Sequence, residues 1–223
     1  MTPDGGEEAL ATPLRVVGVS GSPRHKATER AVQEALRHAR ERHGAETDYF
    51  SAAGKDLGFC VHCDACVRKK QGCAFHDDMQ ELYALLTRAD AVILGTPMYQ
   101  GNVSAQLKAM MDRCRALVVS EPGALRHTTG AGIAVGGDRN GGQDSALTLI
   151  HDFFIINQMI PVGGGAYGAN LGAALWSRDE GATGVAADEV GLAAVRRVVD
   201  RLVTVTRLIR AGLEAGASTA GDV

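Results

Sequence analysis

Four cysteines lie close together in one irregular stretch of the chain: Cys60, Cys63, Cys66 and Cys73. Three thiolates spaced two residues apart, followed by a fourth after six more residues, are typical of the ligands of a cubane iron–sulfur cluster. Zinc also binds four thiolates, but zinc sites more often use two Cys-x2-Cys pairs that are well apart. The spacing therefore favours a [4Fe-4S] cluster, with zinc or free loop thiols as the alternatives.

The fifth cysteine, Cys114, falls at helical spacing within an apolar stripe, so we expect a small core residue and not a ligand. His62 and His76 flank the four clustered cysteines, and we expect both to be exposed loop residues, with a supporting role beside a cluster as the alternative. The basic run 68–70 would either offset the negative charge of a cluster or simply face solvent.

A serine-rich loop, residues 20–28, joins a predicted strand to a predicted helix. A helix N-terminus has free N–H groups and a partial positive charge, which suit a phosphate. The loop lacks the glycine spacing of a dinucleotide site and the lysine pattern of a P-loop, so the phosphate of FMN is favoured. An ordinary serine-capped turn is the alternative. The predicted FMN-binding residues here are Ser20, Ser22, Pro23, Arg24 and Thr28.

Two further loops, residues 96–102 and 136–143, follow predicted strands and would hold the flavin ring. Tyr99 can lie against an aromatic ring, and the glycines allow close backbone approach. Arg139 would bring positive charge to the N1–C2=O edge of the flavin; a polar turn with Arg139 in solvent is the alternative. The predicted cofactor-binding residues are Pro97, Met98, Tyr99, Gln100, Gly101, Asn102, Gly136, Gly137, Asp138, Arg139, Gly142 and Gln143.

Alternating strands and helices must position these loops. Short apolar runs predict five strands, at 14–19, 46–52, 89–95, 131–135 and 159–162. Helical periodicity predicts helices at 26–43, from 77–78 onward, from Ser104 onward, at 144–157 and at 187–212. This order predicts an α/β fold with a doubly wound five-stranded parallel sheet, whose ligands lie beyond the carboxyl ends of the strands. Segment 163–186 is long for a connection and suggests a functional cover or a subunit contact.

Length and composition limit the class of protein. The 223 residues with 45 % hydrophobic content suit one domain over 14–212, with a cysteine-rich insert at 53–76 and disordered tails at 1–13 and 213–223. A net charge of −3 argues against a nucleic-acid partner. No apolar run reaches the roughly 18 residues that span a membrane, and no secretory signal is present. We therefore predict a cytoplasmic protein.

Taken together, the motifs GVSGSPR, CVHCDAC with Cys73, TPMYQGNVSAQLK and GGDRNGGQD resemble those of iron–sulfur flavoproteins of the NADPH-dependent FMN reductase superfamily. The resemblance covers most of residues 14–165. It implies a flavodoxin-like fold, with FMN phosphate on the first loop and the isoalloxazine on the other two. It also implies a [4Fe-4S] cluster near the flavin and assembly into homodimers or homotetramers.

These observations predict an FMN-dependent oxidoreductase, in which a cluster relays single electrons between the flavin and a small-molecule substrate or redox-protein partner. One alternative is a biosynthetic dehydrogenase that oxidises a chorismate-type cyclohexadiene. A second is an NAD(P)H-dependent FMN or quinone reductase without a cluster. A third is a non-catalytic redox sensor or zinc-stabilised module. The sequence indicates no residue as a catalytic acid or base.

Overall fold

A computed structural model of the chain describes residues 12–165 and 167–220. Six strands and seven helices alternate within these residues. The strands are β1 Arg15–Ser20, β2 Glu46–Ser51, β3 Ala91–Pro97, β4 Thr129–Gly136, β5 Ile160–Pro161 and β6 Ala173–Trp176. The helices are α1 Ala27–His43, α2 Ala65–Lys69, α3 Met79–Thr87, α4 Ala105–Ser120, α5 Gln143–Ile156, α6 Ala182–Ala186 and α7 Glu189–Ala220.

The strands form one parallel sheet in the order β2-β1-β3-β4-β5. Every residue of β3 and β4 is buried, because helices cover both faces of the sheet. Helices α1 and α7 pack on one face, and α3, α4 and α5 pack on the other. The predicted doubly wound sheet is therefore confirmed, and its carboxyl edge carries the three predicted loops.

A sixth strand, β6, lies inside the segment that the sequence presented as one long connection. Strand β5 pairs with Thr129 and Gly130 of β4, and β6 pairs with the same strand over Ile133–Gly136. The two short strands thus share one edge of β4 and are separated by an excursion of the chain. Only four residues long, β6 carries too little alternation to be recognised in the sequence.

The C-terminal helix is longer than predicted. Helix α7 continues to Ala220, so residues 213–220 are helical where we expected a disordered tail. This stretch contains no proline and several good helix formers, which allow the preceding helix to propagate. Residues 1–11 of the predicted N-terminal tail lie outside the described residues. None of the described helices is long and apolar enough to cross a membrane.

Candidate flavin and cysteine sites

The first loop leaves β1 at Ser20 and is held tightly against the sheet. The N–H of Gly21 donates to the carbonyl of Gly95 at 2.8 Å, and a Cβ on Gly21 would lie only 2.6 Å from Cβ of Leu107. The Ser22 hydroxyl donates to the Arg24 carbonyl and accepts from the Arg24 N–H, which closes a small turn. At the start of α1 no side chain caps the helix, so its first N–H groups are available to an anion.

A cavity of about 70 Å³ lies at the carboxyl edge of the sheet and is lined by all three predicted loops. Two cations, Arg24 and Lys26, lie at its border beside the start of α1. Ser20 does not line this cavity: its side chain is fully buried beneath the loop, and its hydroxyl has no hydrogen-bond partner. The lining residues are Ser22, Arg24, Lys26, Ala27, Thr28, Pro97, Met98, Tyr99, Val135, Gly137, Ser177 and Asp179.

The second loop is a two-residue turn between Tyr99 and Asn102, whose backbones exchange hydrogen bonds of 3.2 and 3.1 Å. Gln100 and Gly101 at its tip adopt φ values of +50° and +74°, the left-handed conformation that such a turn requires. The turn presents the Tyr99 side chain at the cavity.

Ser104, which caps α4, joins the first two loops. Its buried hydroxyl accepts from the N–H of Leu107 at 3.1 Å and donates to the carbonyl of Gly21 at 2.6 Å. Its N–H donates to the hydroxyl of Thr96. The sequence identified Ser104 only as a helix start, because its bond to Gly21 depends on the fold.

The third loop is supported from below by Gln143. Its buried side-chain amide donates to the carbonyl of Asp138 at 2.7 Å and to that of Leu175 at 3.2 Å. Gly142 has φ of +91°, and a Cβ there would lie 3.4 Å from Cε of Met98. The second and third loops are therefore in close contact, and Gln143 positions the third loop from inside the protein.

Arg139 of the third loop forms an ion pair at the start of α7. Its guanidinium donates to the carboxylate of Asp188 at 2.5 Å and lies over the ring of Trp176, with 5.1 Å to the centroid. Asp188 also accepts from the N–H groups of Trp176 and Gly191, which ties β6 to the start of α7. Burial opposes ionisation, but these three bonds outweigh it and hold the pKa of Asp188 below its ordinary value. The charge of Arg139 is thus balanced by Asp188.

The four clustered cysteines border one pocket of about 30 Å³. Cys60 and Cys63 are exposed, whereas Cys66 at the start of α2 and Cys73 are partly buried. Two arginines of α4, Arg113 and Arg115, border the same pocket. The basic run 68–70, which we considered as the balancing charge, is exposed, as are His62 and His76.

Cys114 lies away from this pocket, in the core beneath the sheet. Burial raises the pKa of its thiol to about 12. This agrees with the predicted core role, since a buried neutral thiol is a small apolar group.

An ion pair between Asp77 and Arg113 fastens the cysteine insert to α4. The Asp77 carboxylate also accepts from the N–H groups of Gly58 and Met79, and a second guanidinium nitrogen of Arg113 lies 3.5 Å from Sγ of Cys73. Burial opposes ionisation of Asp77, but the bonds from Arg113, Gly58 and Met79 outweigh it and lower its pKa. The sequence indicates Asp77 only as the start of a helix, because its bond to an arginine 36 residues further on depends on the fold.

A groove of about 1020 Å³ between α4 and α5 connects the two sites. Pro23, Tyr99 and Asn102 line it near the flavin loops, and Asp112 and Arg115 line it beside the cysteine pocket. Arg113 is nine residues along α4 from Ser104, a distance of about 14 Å along the helix axis. Helix α4 therefore connects the second loop directly to the cysteine pocket.

Comparison with known proteins agrees with this architecture. The sequence model of the family described as NADPH-dependent FMN reductase matches residues 14–174. An iron-sulfur flavoprotein of Methanocaldococcus jannaschii is 56% identical over 87% of this chain and 98% of its own length. One from Archaeoglobus fulgidus is 50% identical over 83% of this chain and 94% of its own length.

Solved structures share the fold at low sequence identity. RosB, crystallised with bound 8-demethyl-8-formylriboflavin-5'-phosphate, superposes with a TM-score of 0.69 at 14% identity, over 94% of this chain and 89% of its own. A flavodoxin, WrbA-like protein from Agrobacterium tumefaciens gives a TM-score of 0.57 at 18% identity, over 89% of this chain and 98% of its own.

The sheet order and the solved structures define a flavodoxin-like fold. The chain belongs to the NADPH-dependent FMN reductase family, and it is an FMN-dependent oxidoreductase.

Proposed function

We propose that this oxidoreductase carries a [4Fe-4S] cluster on Cys60, Cys63, Cys66 and Cys73 and exchanges single electrons between cluster and flavin. The observation that carries the proposal is the convergence of all four thiols on one pocket. Four thiolates give such a cluster a net negative charge. Arg113 points a second guanidinium nitrogen at Sγ of Cys73, 3.5 Å away, and would donate to that thiolate while it stays paired with Asp77. The names of the two archaeal relatives support the same assignment.

The spacing of the four cysteines along the chain favours a cubane over zinc. Three of them are separated by two residues each, and the fourth follows after six more, which is typical of the ligands of a cubane cluster. Zinc sites more often use two Cys-x2-Cys pairs that are well apart.

The residues of the small cavity fit the phosphate end of FMN. The uncapped start of α1, with Ser22, Thr28, Arg24 and Lys26 around it, would hold the phosphate. Tyr99 and the glycine backbone of the third loop would border the isoalloxazine. When bound, FMN supplies hydride or single-electron chemistry, and the cluster supplies single-electron transfer.

The open groove between α4 and α5 is where we expect a substrate or a redox-protein partner to bind. The groove reaches from Tyr99 to Arg115, so a small-molecule substrate or the contact region of a redox protein can lie along both sites. Assembly into homodimers or homotetramers belongs to the same proposal and rests on the family resemblance. Oxidation of a chorismate-type cyclohexadiene stays a prediction.

Anaerobic purification followed by cofactor analysis tests the proposal. We expect FMN as the released flavin, with about four irons and four sulfides per chain and a broad visible absorption beneath the flavin bands. Zinc in place of iron, or four free thiols in the insert, would contradict the cluster. FAD, or no flavin after reconstitution, would contradict the FMN site independently of the cluster.

A further inference from the structure

Two histidines and an aspartate meet between α1 and α7, away from the flavin loops. His38 lies within α1, His43 is the last residue of that helix, and Asp200 lies in α7. The Nε2 atoms of His38 and His43 lie 2.8 and 2.7 Å from the same carboxylate oxygen of Asp200. The two nitrogens and the oxygen all lie within 4.8 Å of one another.

We propose that these three side chains bind one divalent first-row transition ion, and that zinc matches them best. Two imidazoles and one carboxylate are a common zinc ligand set, and imidazole also suits nickel, cobalt and copper. With bonds of about 2.0–2.2 Å, neighbouring ligand atoms on a tetrahedral ion lie roughly 3.4 Å apart. The oxygen of Asp200 therefore needs to move about 0.6–0.7 Å further from each histidine nitrogen for an ion to enter.

The surroundings of the three side chains suit a bound ion. The histidine side chains are 15 % and 14 % exposed, whereas Asp200 is 49 % exposed, so the site opens to solvent on the aspartate side. An ion can enter there, and water can complete its coordination. The C-terminus of α1 contributes a partial negative charge that favours a cation.

Arg207 fixes the end of α1 by donating to the carbonyl of His43 at 3.2 Å. This contact limits the freedom of the His43 backbone, which reduces the ordering needed when the site binds an ion.

Binding of an ion would link two distant parts of the chain. His38 and His43 are 162 and 157 residues from Asp200, and α1 and α7 pack together over the same face of the sheet. An ion bound by both helices therefore favours the folded state over the unfolded chain. The site uses no residue of the flavin loops or of the cysteine pocket, so the zinc-site proposal can be tested independently of the proposed function.

Equilibrium dialysis of the anaerobically purified holoprotein against zinc chloride tests this site. Elemental analysis should find about one zinc per chain more in the wild type than in Asp200→Asn or His43→Ala. The quantity compared is the zinc content of the wild type minus that of a variant, so zinc bound at other sites, including the cysteines, does not contribute to it. We expect the dissociation constant for this zinc to rise at least about tenfold in each variant, since even outer-shell changes cost that much.

The matched control is His127→Asn, which replaces an exposed histidine that is not one of the three proposed zinc ligands. It should bind zinc like the wild type, and all the variants should retain FMN and iron. Zinc should also raise the melting temperature of the wild type and of His127→Asn, but not that of Asp200→Asn. Equal zinc binding by the wild type and Asp200→Asn, or no zinc beyond that held at other sites, would overturn the proposal. Asp200→Asn conserves the shape of a half-exposed side chain, so we expect this variant to fold like the wild type.

Discussion

The guanidinium of Arg113 and the carboxylate of Asp77 form an ion pair in the interior, with side-chain exposures of only 1 % and 8 %. Removal of one member of such a pair leaves the other charge buried without a partner, which costs about 3–5 kcal/mol. We expect Asp77→Ala to lose that amount of unfolding free energy, measured by chemical denaturation. The neighbouring Asp78→Ala, which removes a partly exposed carboxylate, should lose about 1 kcal/mol or less. Similar losses in both variants would contradict the role of the pair.

The four clustered cysteines should behave as one set. Serine at Cys60, Cys63, Cys66 or Cys73 should lower iron content and bleach the visible absorption of a cluster, because each position is expected to supply one thiolate. The measurement is iron and sulfide per chain, with the spectrum recorded under anaerobic conditions.

Cys114→Ala is the matched control for the cysteine series. It removes a buried thiol from the core and should change stability modestly, while iron and FMN stay at wild-type levels. Loss of iron in Cys114→Ala, or unchanged iron in the four serine variants, would contradict the assignment.

Two serines of the first loop should differ in their effect on FMN. Ser22 lines the small cavity, whereas Ser20 is buried beneath it. A hydrogen bond to a charged phosphate is worth about 1.5–3 kcal/mol, so Ser22→Ala should raise the dissociation constant for FMN roughly 10- to 100-fold. Ser20→Ala should have a much smaller effect. Fluorescence titration of the apoprotein with FMN measures both, and a larger effect at Ser20 would place the phosphate deeper in the loop than we propose.

The buried carboxylate of Asp188 should make stability depend on pH. Its pKa is lowered in the folded state, because bonds from Arg139, Trp176 and Gly191 outweigh the cost of burial. A group whose pKa is lower when folded stabilises the fold above its unfolded pKa of about 3.9, and this contribution is lost as the pH falls through the folded pKa.

Asp188→Asn tests this dependence. The difference in unfolding free energy between wild type and variant should be constant from about pH 5 to 7, and it should shrink as the pH falls below about 4. Asp188 directly precedes α7 and accepts from the N–H of Gly191 in its first turn, so it caps this helix. The loss at neutral pH should be about 1–2 kcal/mol, the usual range for a helix cap. A difference that does not change with pH would show that the charge of Asp188 is unimportant.

Much of the fold could be predicted from the sequence, because strands and helices of this protein are encoded by neighbouring residues. The apolar run of β3 and the stripe of α4 gave both elements their correct type, and Ser104 marked the start of α4. The four cysteines were recognisable as one set for the same reason, since all of them lie within 14 residues of chain. The short strand β6 was missed because its pairing with β4, and not its own pattern, creates it.

The partners of the key side chains were decided only by the tertiary structure. Arg113 meets Asp77 across 36 residues, Arg139 meets Asp188 across 49, and His38 meets Asp200 across 162. A charged residue carries no local signal of the group it will face, because that depends on which helices pack together. The sequence by itself therefore determined the sheet, its loops and the set of four cysteines. The packing of α4 on the insert and of α7 on α1 decided which charged side chains pair with each other.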